Sequence, residues 1–412
     1  MRVLFVVTSF WAYGELLIAI EFAKRVRDSG HEPLFLIPPS HEHILQGYPF
    51  KYTVLIPGSR RINQILFQDI EHCCSPELVV MADFLNYHFC DRHYGLLPED
   101  LTIFSGRIGT FDNFDWASTH AQLDTYGFRA KGFDTLTLDD YEFWLCPCPL
   151  NKPVASPDPR KMCYPLLGHL SWQNAAVKQL ARETIAIPRT QKVILLTTAT
   201  WQHTYKAYPR VQNFVKVCQQ VVEHVLRRLD INTRIVSVGP STLFQDDRPP
   251  NYHVYSQLPP AEFEKYILAA DLYISNNIAS TTLARVLLSG VPTLVLFSSL
   301  NQHDGTANRS AMTFTPTPFI QRALDAVEYC YPFRMFPVGW YAFLNPLVHK
   351  NPFCDALLQV ELFDEEHFWQ AIMDLLYNEA LIEKLRGNVI AYRRHLQALP
   401  DVAQILSRLV SS

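Results

Sequence analysis

The run Arg2–Thr8, RVLFVVT, constrains the fold more than any other stretch of the chain. It is apolar and β-branched at consecutive positions, without the alternation of a half-exposed strand. Such a run reads as a strand buried on both faces, as in a parallel sheet. A loop, Ser9–Gly14, follows, and then Leu16, Ile20, Ala23 and Val26 recur at helical spacing within Glu15–Ser29. Gly30 stops that helix, and Glu32–Ile37 is a second strand. Strand, crossover helix and strand make a βαβ unit. Further strands are expected at Lys51–Ile56, Leu78–Met81 and Leu101–Ser105, so the first half is an open parallel sheet.

A proline-rich, polar stretch, Pro147–Pro165, precedes a fresh series. Val193–Thr198 is a buried strand, Phe214–Leu229 a helix, and Thr233–Val238 a strand ending at Gly239. Leu268–Ser275, a helix from Ser280 to Leu288, the turn Gly290-Val291-Pro292 and the strand Thr293–Phe297 complete it. The expected class is α/β, with two Rossmann-like doubly wound domains over residues 1–168 and 191–364 and a linker over 169–190. The tail, 365–412, is helical with a break near Pro400. A chain of 412 residues fits this division into cores of about 150–200 residues each.

Composition excludes several function classes. Apolar residues make up 48% and charged ones 18%, which is ordinary for a folded chain and excludes extended disorder. A net charge of -4 supplies no field to attract nucleic acid or an anionic membrane. Glu15 and Glu21 interrupt the apolar N-terminal stretch, and Arg285 with the Gly-Val-Pro turn interrupts Leu283–Leu300. Neither a secretory signal nor a stable membrane insertion is therefore expected. The nine cysteines include the adjacent pair Cys73-Cys74, and Cys146 and Cys148 either side of a proline, but no paired metal-ligand spacing. They are expected to be reduced thiols in a cytoplasmic protein, with no metal site.

The stretch Ala269–Gln302 reads AADLYISNNIASTTLARVLLSGVPTLVLFSSLNQ. It resembles the donor-binding region of GT-B fold glycosyltransferases, the group of UDP-glucuronosyltransferases, macrolide glycosyltransferases and MurG. There a helix starts after a small-residue loop, ends before Gly-Val-Pro, and leads through a strand to an acidic residue followed by Gln. Here Gly290-Val291-Pro292 and Asn301-Gln302 stand at those places. Gly14-Glu15 and Gly30-His31 match the family's N-terminal Gly-His pairs in spacing. The resemblance implies two facing domains with a C-terminal helical crossover, so that 365–412 pack back toward the first domain. Four positions depart from the pattern. Glu15 replaces the family's catalytic His, Asn277 a His beside the donor phosphates, Arg285 a ribose-holding Glu, and Asn301 the acidic residue of the sugar-reading pair.

Each candidate has a functional and a structural reading. Glu15 opens the first helix, where a carboxylate can take the acceptor's proton or complement the helix dipole. Asp83 orients the catalytic group, as the resemblance implies, or caps the following segment. His88, Asp112 and Asp115 are alternatives for the same cleft. Asn277, Ser280, Thr281 and Thr282 surround a helix start, whose free N–H groups suit a diphosphate and whose hydroxyls also serve as caps. Arg285, one turn on, is a phosphate or ribose clamp, or a surface arginine. Asn301 and Gln302 can exchange hydrogen bonds with sugar hydroxyls. Trp201, with His203, Thr204 and Tyr205, follows a strand end, where ligands gather in doubly wound folds. Gln257-Leu258-Pro259 resembles the family's base-contacting segment. Trp11, Tyr13, His88, Phe111 and Asp112, with Phe84, Tyr87, Phe114 and Trp116 nearby, are the acceptor candidates or else local core.

The expected reaction is transfer of a sugar from a nucleotide diphosphate sugar to a small, aromatic or apolar acceptor, with inversion. The diphosphate sugar is a co-substrate, and no cofactor or metal is required. Two other readings fit the same residues: a nucleotide-sugar epimerase or hydrolase on this fold, and a non-catalytic sugar-nucleotide-binding partner protein.

Overall fold

A computed structural model describes residues 1–10, 13–84, 87, 90–119, 124–125, 128–129, 138–202, 209–303, 306–307 and 312–411. The chain divides into two compact units. The first comprises residues 1–121, 132–169 and 394–412, and the second residues 122–131 and 170–393.

In the first unit β1 (Arg2–Val6) leads through α1 (Gly14–Asp28) to β2 (Glu32–Ile37), as the sequence pattern requires. β3 (Lys51–Val54), α2 (Arg60–Cys74), β4 (Leu78–Met81) and β5 (Arg107–Phe111) follow. The strands β6 (Asp124–Thr125) and β7 (Phe128–Arg129) lie within the segment that belongs to the second unit. β8 (Phe143–Cys148) and β9 (Lys161–Pro165) return to the first. The seven strands run parallel in the order β3-β2-β1-β4-β5-β8-β9. Val3–Val6 are all essentially inaccessible, which is why the run carries no alternation.

The first sheet differs from expectation at two places. The strand expected at Leu101–Ser105 is a 3-10 turn over Pro98–Ile103, and the strand begins at Arg107. A side chain at Gly106 would meet the Pro76 carbonyl at 2.1 Å, and one at Gly109 the Phe143 ring at 2.3 Å. The strand passes its neighbours too closely for side chains there, so it lacks the apolar signature of its fellows. The Pro147–Pro165 stretch, in turn, carries the edge strand β9.

The second unit opens with α3 (Ala175–Thr184), inside the stretch expected as a linker. It packs on α5, named below, with Lys178 and Arg182 both paired to Asp271. Then come β10 (Lys192–Thr197), α4 (Pro209–Leu226), β11 (Thr233–Val238), β12 (Tyr252–Tyr255), α5 (Pro260–Ala269), β13 (Leu272–Ser275), α6 (Thr281–Leu288) and β14 (Thr293–Phe297). β15 (Gln302–His303), β16 (Thr306–Ala307), α7 (Pro318–Asp325), β17 (Phe333–Met335), β18 (Gly339–Trp340), α8 (Tyr341–Val348) and β19 (Leu358–Glu361) follow. The main sheet is parallel, in the order β12-β11-β10-β13-β14-β19.

The helical tail is α9 (Glu365–Tyr377), α10 (Glu379–Gln397) and α11 (Val402–Ser411). α9 buries Phe368, Ala371, Ile372 and Leu375 in the core of the second unit. α11 packs in the first unit, against α1, with Ile405, Leu406 and Leu409 buried. Among the described residues no helix is long and apolar enough to cross a membrane.

Candidate functional site

Each sheet has one point where strand order reverses, between β1 and β4 in the first and between β10 and β13 in the second. In open α/β sheets ligands bind at the carboxyl ends of such strands.

At the second switch point the floor is Tyr273, fully buried on β13. Its hydroxyl lies 2.6 Å from Thr197 Oγ1 on β10, and burial pushes the phenol above its ordinary range against hydrogen bonds from Thr197, Ser275 and Ser280. Ser280 is thus tied to the floor while its Oγ accepts from Leu283 N–H at 3.3 Å, capping α6. Asn277 Oδ1 accepts from Ala279 N–H at 2.9 Å and closes the loop before that cap. Asn277 also bridges Met335 of β17, with Ile278 N–H on the Arg334 carbonyl at 3.0 Å and Phe336 N–H on the Asn276 carbonyl at 3.0 Å. The loop is therefore clamped from one side while the α6 N-terminus stays half-exposed at Thr281 and Thr282.

A cavity of about 80 Å³ lies beside this loop, at the carboxyl ends of β10, β11 and β13. Thr197, Thr198, Ser241, Thr242, Ser275 and Asn276 give it a polar rim, and Phe333 and Phe336 of the clamping segment are part of its wall. Gln202 spans the wall, donating to Asn276 Oδ1 at 3.0 Å and to the Phe336 carbonyl at 2.8 Å. Gly239 keeps the rim tight: a side chain there would meet the Thr198 carbonyl at 1.9 Å, and its φ is +105°. The sequence pattern singled out none of these rim residues. The one available signal was Gly239-Pro240-Ser241-Thr242 directly after a buried strand.

The other donor candidates are dispersed around this point. Arg285 lies on the side of α6 toward α5, 3.8 Å from Glu264. Asn301 is exposed just beyond β14, past a turn in which Glu361 accepts from Ser299 N–H at 2.6 Å. Gln302 begins β15, and its side chain lies outside the described part, as do His203, Thr204 and Tyr205 altogether. Trp201 is half-buried next to Gln202. Gln257 is exposed ahead of α5.

At the first switch point Glu15 sits in the first turn of α1, half-buried, and Asp83 follows β4. Ala82 N–H bonds to the Val6 carbonyl at 2.9 Å, so the two loops leave adjacent strands. Tyr13 packs its ring on His41 and His43, at 4.9 and 5.6 Å. Trp11 and His88 lie outside the described residues.

Several acceptor candidates are held in the core or in capping contacts of the first unit. Phe111 is a core residue of β5, against Phe5, Phe22 and Tyr164. Asp112 is 1% exposed, and its carboxylate accepts from the N–H groups of Phe114, Trp116 and Ala117 at 3.3, 2.7 and 3.0 Å. It caps the short helix Trp116–Thr119, and burial pushes its pKa up to about 6. Phe84 and Trp116 stack edge-on at 5.6 Å in a buried cluster, and Tyr87 donates to the Leu97 carbonyl. Asp115 is paired with Lys161. Among the described residues no group of three His, Cys, Asp or Glu is arranged to hold a metal ion.

The fold has well-characterised counterparts among solved structures. It superposes on the glycosyltransferase VinC in complex with dTDP, TM-score 0.57 at 12% identity, over 100% of this chain and 99% of that one. It is also similar to spinosyn forosaminyltransferase SpnP, TM-score 0.56 at 15% identity, over 100% and 98% of the two chains. A third is the glycosyltransferase SnogD from Streptomyces nogalater, TM-score 0.52 at 12% identity, over 100% and 99%. At such identities these likenesses show the fold alone, which is GT-B, with two Rossmann-like sheets. No curated protein has a sequence that matches this one. Over residues 22–412 the sequence matches DUF6365, a family of unknown function, and the chain belongs to that family.

Proposed function

We propose that this protein is a glycosyltransferase that moves a sugar from a nucleotide diphosphate sugar to a small, aromatic or apolar acceptor without a metal ion. The observation that carries this reading is the capped N-terminus of α6 at the switch point of the second sheet, with a polar-rimmed cavity at the carboxyl ends of the neighbouring strands. A diphosphate there meets unpaired helix N–H groups and the positive end of the dipole. The hydroxyls of Thr281 and Thr282 add donors, and Asn301 with Gln302 supplies hydrogen-bonding partners for sugar hydroxyls. VinC, of the same fold, is described in complex with dTDP.

On this reading Glu15 is the general base. The acceptor oxygen attacks the anomeric carbon as the bond to the diphosphate oxygen breaks. The acceptor's proton passes to the Glu15 carboxylate, the nucleoside diphosphate leaves with its electron pair, and the anomeric centre inverts. Asp83, at the neighbouring strand end, is the positioning carboxylate of that site. The test is incubation with a panel of nucleotide diphosphate sugars and aromatic or macrolide aglycones in EDTA, read by mass spectrometry. A product heavier than its acceptor by one sugar residue supports transfer. Donor consumption with no glycosylated acceptor points to the hydrolase or epimerase, and nucleotide binding without turnover to a non-catalytic partner.

A further inference from the structure

The first unit holds a thiol cluster that sugar transfer does not use. Cys146 on β8 and Cys163 on β9 are direct partners in the parallel register, so their side chains leave the same face of adjacent strands. Cys148 lies two residues further along β8, on that face too. All three are buried, but unequally: Cys146 and Cys148 are inaccessible, whereas Cys163 is 5% exposed on the edge strand of the sheet. Its cover is thin, because Val154, whose N–H faces the Cys163 sulfur, is itself exposed.

We propose that Cys163 and Cys146 are a peroxide-reactive dithiol that closes to a disulfide within the folded first unit. Geometry selects the pair. Directly opposed residues on neighbouring strands stand about 4.8 Å apart at Cα, within the span a disulfide bridges. The diagonal to Cys148 adds two residues of strand rise, roughly 6.6 Å, and takes the separation past the limit of about 7 Å. Exposure assigns the roles: of the three, Cys163 on the edge strand is the one with accessible surface. The neighbouring Cys146 and Cys148 thiols, with the Lys161 ammonium, hold Cys163 below the ordinary thiol range against the effect of burial, while the Cys146 Sγ–H donates to the Trp144 carbonyl at 3.9 Å. The same contacts and burial push Cys146 and Cys148 up.

Cys163 is therefore the attacking thiolate. Its sulfur displaces alkoxide or hydroxide from the peroxide O–O bond and becomes a sulfenic acid. The peroxide is reduced by two electrons. The Cys146 sulfur then attacks the sulfenyl sulfur, the S–S bond forms, the S–O bond breaks, and hydroxide leaves with the Cys146 proton as water. A thiol reductant reverses the change by exchange.

The test uses the native full-length chain and hydrogen peroxide. After timed exposure the protein is quenched, alkylated in denaturant, digested and mapped by mass spectrometry. The expected result is a Cys146–Cys163 linked peptide that dithiothreitol abolishes. Cys148 stays alkylatable, and the pair is lost at least about 10-fold faster than the buried Cys218. Cys163→Ser prevents the link and leaves Cys146 alkylatable. If that variant does not fold, the wild-type kinetics decide alone. A Cys148–Cys163 link, a link formed only in denaturant, or loss of Cys163 no faster than Cys218 overturns the proposal.

Discussion

The hydroxyl of Tyr273 and Oγ1 of Thr197 lie 2.6 Å apart, joining β13 to β10 at the point where the second sheet reverses direction. This bond, with the Ser275 and Ser280 hydroxyls beside it, sets the floor under the start of α6. Replacing Tyr273 with Phe removes the hydroxyl and leaves the ring in place. It should cost about 0.5–1.5 kcal/mol of unfolding free energy, the usual worth of one such bond. Nucleoside diphosphate affinity should fall a few-fold as Ser280 loses an anchor. Chemical denaturation and calorimetry on the same variant read both.

Glu15→Gln keeps the size of the side chain and removes the basic oxygen. If Glu15 takes the acceptor proton, turnover falls by roughly 10²–10⁴-fold. If the second unit holds the nucleotide as proposed, nucleotide affinity is unchanged. Steady-state kinetics and a binding isotherm separate these effects. Normal turnover by the folded variant would remove Glu15 from the mechanism.

Asp112 makes stability depend on pH in a defined direction. Burial raises its pKa from 3.8 to about 6, so between those values the native state binds more protons than the unfolded chain. Its contribution to unfolding free energy therefore falls as pH rises from about 4 to about 6 and is level above that. Asp112→Asn keeps an oxygen for the Trp116 N–H and cannot titrate. Denaturation midpoints for the variant should lose this downward component across that window.

Gly239→Ala combines a left-handed backbone with a contact of 1.9 Å to the Thr198 carbonyl. It should destabilise the protein by more than about 2 kcal/mol and widen the cavity rim. The midpoint of thermal unfolding and the nucleotide isotherm would both move. A variant with wild-type stability would show that the β10 and β11 ends are not packed as described.

The sequence was most legible where burial is two-sided and turns are marked. Val3–Val6, the α1 spacing and the Gly290-Val291-Pro292 turn announce themselves, because each carries a local physical constraint. The strand Arg107–Phe111 was hidden by Gly106 and Gly109, whose role is to let neighbours approach. Phe111 belongs to that strand, and Asp112 to the loop directly after it. α3 fell inside the stretch expected as a linker because that stretch was placed by the proline-rich segment before it, whereas Lys178 and Arg182 of α3 are anchored to Asp271. The clamp on the α6 loop, Phe333–Phe336, is a short antiparallel piece paired with distant loops, and no periodicity betrays it. Of the candidate site, the helix start was legible. The cavity was not, since it is assembled from the ends of several strands.

The most direct test of nucleotide binding at the carboxyl end of the second sheet is calorimetric titration with thymidine and uridine diphosphates in EDTA. Wild-type protein is compared with Thr198→Trp, which fills the cavity from its half-buried rim. The expected result is saturable one-site binding of at least one nucleotide to the wild type, weakened by at least about 10-fold, or 1.4 kcal/mol, in the variant. Absence of binding to either nucleotide, binding that requires a divalent ion, or equal affinity in the folded variant would contradict it.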